Sequence, residues 1–232
     1  AQPNGAWDAA WSPNGTHIAF TSGSPHAIPN LWVTTTDRKG PRQLTTRGAH
    51  DPVWLPNGKT IVFGTVRTGR SAYMAIDATG EPGSETPVGI LPPGAEGPVW
   101  SRDGSLVAFG LANKDGSSRD LLYARSAGGS PTRMTSRFWC REWAFSPDGA
   151  TIAFIVGKSI GTSIWTIDVA SGQMDILYKG WCGAMAWSPD GKSLAFAVPD
   201  VNSAFHINIV DLASRKERSI QVRSFNGQKL LW

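Results

Sequence analysis

Apolar and polar residues alternate along this chain in short runs bounded by glycine, proline, asparagine and aspartate. Runs such as "THIAFTS" from Thr16, "NLWVTT" from Asn30 and "DLLYAR" from Asp120 are rich in β-branched and aromatic side chains. That composition, with turn residues on either side, predicts strands. The same punctuation returns in register. The pattern W-S-P-[ND]-G-x-x-[IVL]-[AV]-F occurs as "WSPNGTHIAF" from Trp11, "WLPNGKTIVF" from Trp54 and "WSRDGSLVAF" from Trp100. It recurs as "FSPDGATIAF" from Phe145 and "WSPDGKSLAF" from Trp187. The anchor aromatics are 43, 46, 45 and 42 residues apart, which marks an internal repeat.

Each repeat predicts four strands. The first leads into the anchor, as in "HDPVW" or "GAMAW". Pro followed by Asn/Asp-Gly then turns the chain, because Gly accepts a positive φ and the Asx side chain caps the turn locally. A second strand follows ("HIAF", "SLAF"), then a loop of variable length. The third strand is represented by "NLWVTTTD", "SAYMAIDA" and "SIWTIDVA", and the fourth by "RQLTT", "TRMTS" and "MDILYK". Four strands in so short a unit make one blade, and a lone blade cannot bury both its faces, so blades stack around an axis. The expected fold class is all-β: a β-propeller of four-stranded antiparallel blades, with five complete repeats plus the first strand of a sixth. The blades fall at approximately 6–46, 49–89, 95–136, 140–180 and 182–222, within one domain, and 223–232 opens the sixth repeat. "FNGQKLLW" aligns with the stretch before Trp187 and puts Trp232 at the next anchor. The sequence is therefore read as part of a longer propeller of six or more blades. The alternative is a five-bladed ring with an accessory strand.

The W-S-P-D-G hairpin, followed by an "LT"-like fourth strand in "RQLTT" and "TRMTS", resembles the TolB-type propeller repeat. That repeat is found in periplasmic TolB and in the propellers of prolyl-oligopeptidase relatives. The resemblance covers about residues 6–222. It implies a non-catalytic protein- or peptide-binding scaffold, periplasmic or extracellular, that acts through a loop face and tunnel mouth. Two alternatives are carried: the gating propeller of a peptidase whose hydrolase domain lies elsewhere, and a glycan-binding propeller of lectin or lyase type. Propellers host many activities, so function has to come from a site.

Composition narrows the picture little. The 232 residues include 26 Gly, 16 Pro and 11 Trp, which suits many turns and large buried aromatics. The net charge of +4 is spread along the chain and is too small to favour nucleic acid. No apolar run is long enough for a membrane span. Apparent catalytic motifs dissolve in context. "GKSIG" from Gly157 matches a nucleophile elbow at Ser159, but the elbow needs a strand-to-helix turn in an α/β sheet. "GTVRTGRS" from Gly64 leads into a strand, where a phosphate loop needs a helix. His17, His26, His50 and His206 share no metal-ligand spacing, so no metal site or resident cofactor is expected. The sequon at Asn14 coincides with the hairpin turn and is read as the turn.

Three sets of residues carry candidate function. Asp8, Asp51 and Glu142 lie three residues before their anchors, on strands expected near the axis, with Arg141 beside them. They would line the tunnel or surround a cation there; Gly97 and Ala184 fill the same place in the other repeats. Cys140 and Cys182 each lie five residues before an anchor in neighbouring repeats. A disulfide between them needs Cα atoms within about 7 Å; two buried or free thiols are the alternative. The loops after second and fourth strands emerge on one face and bring Arg47, Arg67, Arg70, Lys114, Arg137, Trp139, Lys158, Lys179, Trp181 and Phe225 together. Arg with Trp is the composition of binding hot spots. A protein or peptide is the expected partner, with a glycan as the other choice.

Overall fold

The computed structural model describes residues 5–23, 28–37, 40–67, 70–157, 161–199 and 205–222. Arg67 and Arg70 lie in its strands with side chains not described, and Lys158 and Phe225 lie outside the described residues. Among the described residues the chain forms five sheets, each four strands joined consecutively and antiparallel. The first holds β1 (Trp7–Trp11), β2 (His17–Ser22), β3 (Asn30–Thr35) and β4 (Arg42–Gln43). The second holds β5 (His50–Trp54), β6 (Thr60–Arg67), β7 (Arg70–Asp77) and β8 (Thr86–Pro87). The third holds β9 (Ala95–Trp100), β10 (Leu106–Ala112), β11 (Arg119–Arg125) and β12 (Thr132–Arg133). The fourth holds β13 (Cys140–Phe145), β14 (Thr151–Val156), β15 (Ser163–Asp168) and β16 (Met174–Lys179). The fifth holds β17 (Gly183–Trp187), β18 (Ser193–Pro199), β19 (Phe205–Asp211) and β20 (Glu217–Val222). These are the blades of a β-propeller. Contacts divide the chain into two compact units, Ala1–Ala95 and Glu96–Trp232, and each is described by itself.

Second strands are buried almost without interruption. Phe63, Phe109, Phe154 and Phe196 are each at most 1% exposed. A strand covered on both faces reads as a continuous apolar run, which is why "TIAFIV" does not alternate. In the first unit Leu31, Leu44, Trp54, Ile61 and Phe63 pack as one cluster between the two sheets. In the second unit Ala153, Ile155, Met185, Trp187 and Phe196 do the same between the fourth and fifth.

The anchors tie sheet to sheet. The Trp54 indole N–H donates to the Ala10 carbonyl at 3.1 Å, and Trp187 donates to Ala144 at 3.1 Å. Both acceptors are the residue just before the preceding anchor. Phe145 has no indole, and Trp143, two residues earlier on the same strand face, donates instead to the Gly97 carbonyl at 2.9 Å.

The S-P-[ND]-G hairpin is a three-part relay. Ser12, Ser101, Ser146 and Ser188 are buried, and a buried hydroxyl needs partners. Each accepts the backbone N–H five residues on: His17, Leu106, Thr151 and Ser193. Each donates to the Asx two residues on: Asn14, Asp103, Asp148 and Asp190, at 2.5–2.8 Å. The following glycines hold φ between 70° and 74°, a region that side-chain-bearing residues rarely enter. Leu55 replaces the serine in the second sheet, and Asn57 turns its carbonyl to the Lys59 and Thr60 amides at 2.9 and 3.0 Å.

The relay sets a titration. The Ser101 hydroxyl, then the Ser105 amide and hydroxyl, hold the Asp103 carboxyl down from 3.8 to about 2. A depressed carboxyl stabilises the turn above its unfolded value, and that contribution is lost as pH falls through the folded one. Ser101→Ala is expected to move the Asp103 midpoint back toward 3.8, read from the carboxyl carbon by NMR. A midpoint that stays near 2 would show that the serine does not set it.

The "LT" of the fourth strand has a similar explanation. Thr45 and Thr135 accept the backbone N–H of Leu31 and Leu121, each at 2.9 Å. Both leucines are fully buried, so these hydroxyls lock the third strand to the segment that leaves the fourth, inside the core.

Candidate functional site

The sheet topology places the loop after each second strand at the same end of its sheet as the exit from the fourth. In the second unit this end carries the most elaborate local structure. Asp120, the second residue of the third strand β11, is buried at 3% exposure. Its carboxylate ion-pairs with Arg133 and accepts the Phe138 amide at 3.1 Å. The Arg119 amide donates to the Phe138 carbonyl at 2.9 Å. These bonds hold the segment between β12 and β13, and with it Arg137 and Trp139.

Trp139 is half-buried and does not stand free. The Arg119 guanidinium lies 5.4 Å from its ring centre, a cation–π contact, and 3.2 Å from the Glu96 carboxylate. Arg137 is exposed and holds φ at 63°, the left-handed region. Arg141, the second residue of β13, is exposed. Glu142 beside it accepts the Met185 amide at 3.0 Å and so joins β13 to β17. Across that seam Trp181 is 49% exposed. Arg141 acts on the neighbouring Cys182 thiol, where its charge opposes part of the rise due to burial. Arg119, Trp139, Arg141 and Trp181 thus follow one another along the end of the third, fourth and fifth sheets. Among the described residues neither Arg137 nor Arg141 makes an ion pair. Lys114 in the β10–β11 turn and Lys179 at the end of β16 are exposed.

The cysteine pairing raised from the sequence is not formed. Both thiols are free and buried. Cys140 lies in the cluster of Trp143, Ile152 and Phe154, and Cys182 in that of Met185, Leu194 and Phe196. Each has its own threonine: Thr135 Oγ1 is 3.6 Å from Cys140 Sγ, and Thr162 Oγ1 is 3.2 Å from Cys182 Sγ. Burial pushes the Cys140 thiol up to about 11 and raises Cys182 as well, which keeps both protonated and unreactive near neutral pH.

The acids before the anchors have a backbone reason. Asp8, Asp51, Gly97 and Ala184 all take positive φ, between 40° and 52°. The first strands carry register shifts at or beside this position. Asp and Gly are among the few residues that visit this region readily. Glu142 is the exception: β13 shifts register at Cys140/Glu142 with ordinary φ. In the first unit Asp8 accepts from the Thr21 hydroxyl at 3.2 Å, and Asp51 is 3.0 Å from His50 Nδ1. That bond raises His50 above its ordinary value and lowers Asp51. Among the described residues no three His, Cys, Asp or Glu side chains group as metal ligands would.

Arg119, Glu96 and Asp120 were not singled out from the sequence. The signal for Asp120 was there: Asn30 occupies the same place before a buried leucine, and its Oδ1 accepts the Gly48 amide at 3.1 Å just as Asp120 accepts Phe138. The β6–β7 loop is shorter than "VRTGR" suggested, since Arg67 pairs with Arg70 at the strand ends.

No protein-family model and no curated protein matches the chain. Solved structures do. A putative TolB from Agrobacterium tumefaciens superposes with a TM-score of 0.71 at 19% identity, over 94% of this chain and 81% of that one. TolB from Acinetobacter baumannii gives 0.73 at 18%, over 97% of this chain and 56% of that one. The fold is that of the TolB propellers. An oligogalacturonate lyase in complex with manganese gives 0.75 at 12%, over 98% of this chain and 69% of that one. At such identities the TolB-like fold is what is shared. No helix here is long and apolar enough to cross a membrane among the described residues.

Proposed function

We propose that this TolB-like propeller is a non-catalytic scaffold, exported to the periplasm or cell exterior, that binds a protein or peptide partner on the loop end of its second unit. The observation that carries the reading is a half-exposed Trp181 at the same end of the second unit as Arg137 and Arg141, which are exposed and make no ion pair among the described residues. Tryptophan and arginine dominate binding hot spots because each covers a large area and keeps a polar handle. Arg137 adds a second argument. A left-handed non-glycine residue costs about 1–2 kcal/mol, so glycine would serve the fold better there.

Immobilised protein incubated with an extract of the source cells is expected to retain a protease-sensitive polypeptide. Trp181→Ala should cut retention at least fivefold, as one lost hot spot of about 1–2 kcal/mol implies. Arg137→Gly should raise stability by roughly 0.5–1 kcal/mol through relief of the left-handed backbone, yet lower retention. Retention that is unchanged in both variants would overturn the assignment of the face. A retained glycan in place of a polypeptide would overturn the partner class.

A further inference from the structure

In the first unit a cavity of about 180 Å³ opens between the segment entering β3 and the segment entering β5. Ile28 and Pro29 form one wall, Ala49 and His50 the other, with Thr65 in the lining and Arg47 at the edge. The surface facing the cavity is almost wholly apolar. The walls are fixed before any ligand arrives. The Ala49 amide donates to the Pro29 carbonyl at 2.7 Å, and the Gly48 amide donates to Asn30 Oδ1 at 3.1 Å. His50 is held from two sides. Its ring packs directly on Gly64, where a Cβ would come within 2.1 Å of Cε1, and its Nδ1 is 3.0 Å from Asp51.

The cavity is well below the 300–1,000 Å³ of a drug-sized site. It matches a single side chain. Ile28 stands at its mouth 75% exposed, an apolar cost that a buried partner group would recover. Of the residues that line the cavity, Arg47 alone carries a permanent charge; it is exposed and makes no ion pair among the described residues. The rim therefore favours a negative neighbour beside the apolar anchor.

We propose that this cavity anchors one leucine-sized aliphatic side chain of a bound peptide, with an acidic residue next to it on Arg47. The inference rests on the reading of the chain as a peptide-binding scaffold and adds to the second-unit face a separate peptide anchor in the first unit, with the side chain it selects. A buried aliphatic anchor ringed by polar groups is the arrangement that concentrates binding energy in small interfaces.

The test is a titration of ¹⁵N-labelled protein with three capped dipeptides: acetyl-Leu-Glu-amide, acetyl-Leu-Gln-amide and acetyl-Ala-Glu-amide. Acetyl-Leu-Glu-amide is expected to shift the amides of Ala49, His50 and Thr65 and to bind at least threefold tighter than either control. Arg47→Ser should erase the difference between Glu and Gln peptides, and Ile28→Asp that between Leu and Ala. Both positions are exposed, so the fold should tolerate each change. Equal shifts from all three peptides, or shifts confined to other amides, would overturn the anchor. That failure is separable from failure of the scaffold reading. A polypeptide retained through Trp181, without dipeptide binding here, rejects the anchor alone, and a propeller that retains no polypeptide rejects the reading beneath it.

Discussion

Trp187→Ala is expected to destabilise the protein by about 3–5 kcal/mol, while the same substitution at Trp11 costs less than about 1 kcal/mol. The two residues open the same motif, yet Trp187 is 9% exposed and Trp11 61%. Trp187 fills the space between the fourth and fifth sheets against Met185, Leu194 and Phe196, and its indole satisfies the Ala144 carbonyl. Removing it leaves a cavity and an unpaired acceptor. Trp187→Phe should fall between, near 1 kcal/mol, because it keeps most of the contact and loses the bond. Urea denaturation of the three variants reads the ranking. Equal costs at Trp11 and Trp187 would show that the anchors stabilise their own hairpins and do not join neighbouring sheets.

Gly110→Ala should also destabilise, by about 1–3 kcal/mol, and here two effects compete. Glycine inside a strand costs roughly 0.5–1 kcal/mol relative to alanine, so intrinsic preference predicts a gain. Packing predicts a loss: a Cβ on Gly110 would lie 2.5 Å from Trp143 Cη2 and 3.0 Å from Arg119 Cδ. Packing wins because neither neighbour can move freely. Trp143 is bound to the Gly97 carbonyl, and Arg119 is held between Glu96 and Trp139. The displacement should loosen the Arg119–Trp139 stack as well, so tryptophan fluorescence should change along with the unfolding midpoint. A stabilised variant with unaltered fluorescence would mean that the stack is not coupled to β10.

The repeat made the fold readable. Turn chemistry acts within a few residues, and Ser101, Asp103 and Gly104 sit where the W-S-P-D-G pattern puts them even though Arg102 replaces its proline. Where the pattern broke at Leu55, the turn survived because Asn57 could reach two amides by itself. The candidate site was readable only in part. Trp139 and Trp181 each lie six residues before an anchor, and Trp181 is half exposed and Trp139 partly so, but the Arg119 guanidinium over the Trp139 ring has no counterpart in that spacing. Spacing places a residue at the end of a strand, and it carries no information about which cation from the sheet before will lie across it. The cysteines make the same point: equal distance from two anchors did not bring them together as a pair, because each sulfur turns into a different cluster.

The sequence by itself determined the number of described sheets, their strand order and their turns, because hairpin pairing and turn geometry depend on residues close along the chain. Tertiary structure alone decided which of several identical motifs is buried, which arginine stacks on which tryptophan, and where a side-chain-sized cavity opens beside Ile28. Burial and pairing are properties of whatever lies opposite a residue. In this protein the opposite partner is usually supplied by the neighbouring repeat, some forty residues away, as the Trp54–Ala10 and Trp187–Ala144 bonds show.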